Sequence, residues 1–193
     1  MARERNEFHP DVPRRDILGK LLPTKHQRQL ILKWFLFSLV CLAGLILQDV
    51  VMSRVSIFGA TTDLVACFVL AICILQGAHS GCVFVLCASI IFYYSNSAPG
   101  PYCIPLLTGI AVFATLFRQA FLSQGFFTLL LCVGASLLLY ELGTFSIGLM
   151  LGHTYGARIG VFVLRALLTL VAVPPVYPIL VSIGKIGGEI WKE

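Results

Sequence analysis

The sequence predicts an all-α, polytopic integral membrane protein with six transmembrane helices, on three observations. Residues of the AVILMFWYC set make up 58% of the 193-residue chain and DEKR only 12%, against roughly 25% charged residues in an ordinary soluble domain. Mean hydropathy is +0.91. The apolar sequence from Leu30 to Ile186 has room for six or seven helices at about 20 residues each, joined by short loops, and the charge distribution favours six. No aqueous domain remains that is large enough to hold a separate active site.

Residues 1–29 form a basic, proline-containing polar segment, expected to be flexible or to lie on the lipid surface. The apolar run begins too late for a secretory signal, so the first hydrophobic segment is expected to stay as a helix. That helix covers Leu30 to Gln48, with Trp34 near its cytoplasmic end. Asp49 to Thr62 is a polar break carrying Arg54, suited to an extended or interfacial segment, and Asp63 opens the second helix, which ends near Gln76. Gly77 to Gly81 forms a tight turn. The third helix then runs to about Tyr94, where SNSAPGP makes the next turn.

The fourth helix is Tyr102 to Phe117, Arg118 to Gly125 a connection, and Phe126 to about Phe145 the fifth helix. Gly148, Gly152, Gly156 and Gly160 follow at intervals of four. On a helix that spacing would clear one face for close packing, but His153, Thr154 and Tyr155 interrupt the apolar run, so a glycine-rich loop fits equally. The sixth helix, Arg158 to Ile183, contains Pro174 and Pro175 and should kink near Val173, because prolines remove backbone donors and clash with the preceding turn. Residues 187–193 are a short tail.

Charge sets the expected orientation. With six helices and the N-terminus inside, eleven of the 14 Lys and Arg residues are cytoplasmic and only Arg54 and Arg158 lie outside. Both termini are then cytoplasmic. The net charge of +5 needs no nucleic acid, since a basic segment beside a membrane is attracted to anionic lipid.

The composition offers little catalytic material. There is no HExxH motif, no paired aspartates, and no Ser and His in protease-like arrangement; His79 and His153 read as polar loop residues. Cys41, Cys67, Cys73, Cys82, Cys87, Cys103 and Cys132 are scattered in apolar runs, an odd number without CxxC, and read as small core residues rather than as disulfides or metal ligands. No catalytic, cofactor or metal site is expected, and the chain is not expected to be an enzyme.

Two groups of polar residues stand out. Asp63 can cap the second helix or, with Gln48 and Arg54, shape an outer-leaflet surface for a partner. Glu141 lies roughly 22 Å into the fifth helix from its cytoplasmic start and Arg165 roughly 10 Å into the sixth from its outer start, which puts both about 8–10 Å below the outer edge of a 30 Å core. Charges at matched depth on consecutive helices can pair or snorkel separately to the interface. Thr108, Thr115, Gln119, Ser136 and Glu141 are the sparse candidates for a polar transport cavity.

The pattern Gln48, Arg54, Ile57, Phe58, Gly59 and Asp63-Leu64 resembles the turn into the second helix of the MreD family of bacterial rod shape-determining membrane proteins. Gly77 to Gly81, the segment Ser95 to Gly109, and LTLVAVPPVYPIL from Leu168 to Leu180 are similar to further features of that family. This chain has Phe92, Tyr93 and Tyr94 where the family commonly places an acid, and Thr62 where it commonly places a proline. The resemblance implies a non-catalytic subunit of the cell-elongation and peptidoglycan-synthesis machinery in the bacterial inner membrane. Its partners would be MreC, RodA with its transpeptidase, and MreB on the cytoplasmic side. It also implies likeness to the substrate-binding subunits of energy-coupling-factor vitamin transporters, the competing function.

Overall fold

The structure, a computed structural model, describes residues 25–54, 59–121 and 125–186. The expectations for residues 1–24, for Ile57 and Phe58, and for the tail after Ile186 lie outside the described residues. Every regular element described is helical: α1 Lys25–Val50, α2 Leu64–Gln76, α3 Ala78–Tyr94, α4 Cys103–Phe121, α5 Phe126–Met150, α6 Ile159–Leu170 and α7 Val173–Gly184, with short 3-10 turns at Met52–Arg54 and Gly156–Arg158.

Length and composition single out fewer than the six expected spans. Among the described residues three helices, within α1, α4 and α5, are long and apolar enough to cross a membrane, and α6 with α7 makes a fourth if that pair, bent by 48°, is one span. Helix α3 has 17 residues and α2 only 13. At 1.5 Å per residue α2 is roughly 20 Å long, short of a hydrocarbon core of about 30 Å.

This short helix is the centre of the molecule. Leu64 to Leu75 are all buried, and α2 packs against each of the other six helices. A helix enclosed on every side has no polar stripe, which is why its sequence reads LVACFVLAICIL without periodicity. Around it the chain runs back and forth. Gly44 of α1 lies against the Phe68 ring, and Gly81 of α3 against the backbone of Cys73. Further round, Gly143 of α5 meets Leu106 of α4, and Gly134 of α5 meets Leu170 of α6. Each contact removes a side chain where two helices come close.

Several boundaries move from the expected ones. Helix α1 starts at Lys25, inside the segment expected to be irregular. The expected Gly77–Gly81 turn shrinks to Gly77 alone, whose φ of +88° lets α2 end and α3 begin in one residue. Arg118 belongs to α4, not to a connection, and α5 continues past Phe145 to Met150. The four spaced glycines form neither a single face nor a single loop. Gly148 is in α5, Gly152 turns the chain with φ +73°, Gly156 opens a 3-10 turn and Gly160 is in α6. The break in the last span falls at Val171 and Ala172, so that Pro174 and Pro175 sit in the first turn of α7, where no backbone donor is needed.

The glycine contacts separate close approach from open surface. A Cβ on Gly81 would lie 2.9 Å from the Cys73 carbonyl oxygen, whereas one on Gly109 would meet nothing within 4 Å. Gly81→Ala should therefore lower stability by about 1–3 kcal/mol, and Gly109→Ala in α4 should raise it by about 0.5–1 kcal/mol. Thermal unfolding of the two variants in detergent checks the opposite signs.

Candidate functional site

A helix that begins and ends inside an apolar assembly must satisfy its own unpaired backbone groups. At the start of α2, Asp63 Oδ1 accepts from the amide of Ala66 at 3.2 Å, and Gln48 Oε1, from the last turn of α1, accepts from the amide of Val65 at 3.0 Å. At the other end the Arg118 guanidinium of α4 donates to the carbonyl of Ile74. The acid at the N-terminus and the base at the C-terminus both oppose the helix dipole.

Asp63 is then fastened to α6. Arg165 Nη2 lies 3.3 Å from Asp63 Oδ2, while the Asp63 amide donates to Thr169 Oγ1 at 3.0 Å. The Thr169 hydroxyl in turn donates to the carbonyl of Arg165 at 2.8 Å. Arg165 Nε is 3.1 Å from Glu141 Oε1 of α5, an ion pair without hydrogen-bond alignment. Three elements meet at this point because α5 and α6 run antiparallel, with Phe145 against Phe162 one turn further on. Asp63 is fully buried, Glu141 2% exposed, and the Arg165 side chain 21% exposed.

The residues singled out in the sequence fall into two groups. Gln48 and Asp63 converge on one helix start and are buried, so they hold helices together and present no surface to a partner. Arg54 is exposed in the 3-10 turn after α1. Glu141 and Arg165 lie side by side, but the pair is a triad completed by Asp63. Depth in the sequence does not reveal that third member, because the polar residues before Asp63 place it at the interface. Thr169 was missed too, as one threonine in an apolar helix whose hydroxyl gives no signal until its partner is known.

The expected transport residues do not converge. Thr115 and Ser136 donate to carbonyls four residues back on their own helices, Thr108 Oγ1 has no hydrogen-bond partner, and Gln119 sits beside Gly77. A polar cavity of about 430 Å³ lies elsewhere, at the Asp63 end. Its walls are the end of α1 (Gln48, Asp49), Thr61 and Thr62, and the turn after α3 (Ser95 to Ser97), and Arg165 also lines it. The Ser97 hydroxyl donates to Asp49 across this cavity. A smaller cavity of about 200 Å³ on the other side of Thr61 includes both Arg158 and Arg165. Among the described residues no group of three His, Cys, Asp or Glu side chains could hold a metal ion.

Comparison with known proteins finds no match: no family model, no curated protein and no solved structure matches the chain.

Two acids around one base change what charge exchange should do. In Glu141→Arg combined with Arg165→Glu, the carboxylate at position 165 faces Asp63, so the exchange should not restore folded protein. The set Asp63→Asn, Glu141→Gln and Arg165→Gln leaves no unpaired charge and should recover much of the loss of about 3–5 kcal/mol caused by Arg165→Gln alone. Folded yield and melting temperature in detergent measure both outcomes.

Proposed function

We propose that this chain is a non-catalytic assembly subunit of the MreD type, serving bacterial cell elongation and binding MreC, RodA with its transpeptidase and, directly or indirectly, MreB. The observation that carries the reading is that Gln48 and Asp63, two residues of the MreD-like pattern, both cap the same helix start. In this reading the short distance between them in sequence serves one structural purpose, the placing of a buried α2. The polar groups of the triad are consumed in joining helices, which suits a scaffold better than a catalyst.

The proposal includes the topology. Each of α1 to α5 crosses once and α6 with α7 crosses as one bent span, placing both termini in the cytoplasm and the Asp63 end of the bundle outside. What supports it is the excess of basic residues on the N-terminal side, together with the alternating direction of successive helices. The basic arm then meets anionic lipid in the inner leaflet. Accessibility tags after Met1 and Glu193 should be cytoplasmic and one at Ser97 external; an external C-terminal tag would remove the orientation.

A second reading, a substrate-binding subunit of an energy-coupling-factor vitamin transporter, is favoured by one observation, the 430 Å³ polar cavity, a volume within the range of small-molecule sites. Purification of the intact protein from its membrane separates the two. Recovery of MreC without a bound vitamin is the expected result, and stoichiometric vitamin without MreC would favour the transporter.

A further inference from the structure

The polar cavity has an apolar neighbour between the same two helices. A groove of about 250 Å³ lies between α1 and α3 and is backed by Val65 of α2. Leu42 on one wall is 50% exposed and Ile91 on the other 57%, so the groove opens sideways, toward lipid. Helices α1 and α3 each lean on α2 and hardly on one another, which leaves the gap.

Groove and cavity follow one another along the same two helices. Gln48 and Asp49 of the cavity follow Leu45 of the groove by one helical turn, and Ser95 follows Ile91 by one turn. The bond from the Val65 amide to Gln48 Oε1 joins the back of one to the wall of the other. From Leu45 down to Ser38 the groove extends roughly 10 Å along α1. A soluble polar ligand would leave this groove unused, and a hydrocarbon alone would strand the hydroxyls and amides above it.

We propose that the two form one site for a zwitterionic aminophospholipid, with its phosphoethanolamine headgroup in the cavity and part of one acyl chain in the groove. Charge selects the headgroup. The cavity wall carries one acid, Asp49, and one base, Arg165, so a zwitterionic headgroup meets an opposite charge at each end, whereas a purely anionic one brings like charge to Asp49. An ammonium group is offset by Asp49. The phosphate is met by guanidinium N–H donors of Arg165, of which the hydrogen bond to Asp63 occupies one of the five such a group carries, and by the hydroxyl of Thr61.

The intact protein, purified in mild detergent and titrated with phosphatidylethanolamine or phosphatidylglycerol under native mass spectrometry, tests this. Retention of phosphatidylethanolamine should exceed that of phosphatidylglycerol by about tenfold, and Asp49→Asn should remove most of that preference, the effect of losing one charged hydrogen bond. Leu42→Trp, a lipid-facing change that fills the groove, should weaken retention of both lipids with the melting temperature unchanged. Glycerophosphoethanolamine, the soluble headgroup, should not displace bound lipid at equal concentration. Equal retention of the two lipids, retention unaffected by Asp49→Asn, or displacement by the soluble headgroup would each overturn the assignment. Should Leu42→Trp fail to fold, the Asp49→Asn titration and the headgroup competition still decide it.

Discussion

A 13-residue helix enclosed by six others has both ends inside the assembly, and the rest of the structure is arranged around satisfying them. An unpaired backbone amide or carbonyl in hydrocarbon costs several kcal/mol, so α2 can sit there only if other helices reach its ends. Gln48 reaches from α1, Arg118 from α4, and Asp63 caps from its own chain. The charge on Asp63 then has to be offset, which requires Arg165 on α6. Arg165 in turn stands against Glu141 on α5. The need to end one helix inside the bundle thus fixes the relative positions of α1, α2, α4, α5 and α6 at two points.

The same constraint explains the polar cavity. Because α2 stops short, the segment from Gly59 to Asp63 descends into the bundle, and the space above it is lined by backbone-rich and hydroxyl-bearing residues. Arg165 belongs to the frame and to the cavity wall at once. A ligand that drew on its remaining donors would act on the joint between α2, α5 and α6, coupling occupancy of the cavity to the arrangement of those helices.

Much of this was legible in the sequence, though unevenly. Hydropathy and turn residues locate α1, α3 and α5 within a few residues, since long apolar runs ended by Asp, Gly or Pro leave few choices. The length of α2 was also readable, from Asp63 to Gln76, but not its consequence, because an apolar stretch of 13 residues looks the same whether its ends reach the two surfaces or stay inside the bundle. Depth counting brought Glu141 and Arg165 to the same level without showing that Asp63 shares it. That failure has a physical cause: the residues before Asp63 are polar enough to read as interface, and only the packing reveals that the chain dips inward there. The spaced glycines misled for the opposite reason, since a period of four means a shared face only while the helix continues, and Gly152 ends it.

Asp63 and Arg165 should then behave as one unit. A double-mutant cycle of Asp63→Asn and Arg165→Gln, by equilibrium unfolding in mixed micelles, measures that coupling directly. The expected coupling energy is above about 1 kcal/mol, with the double variant less damaged than the sum of the singles, whereas effects that add to within about 0.5 kcal/mol would mean that the two residues act independently.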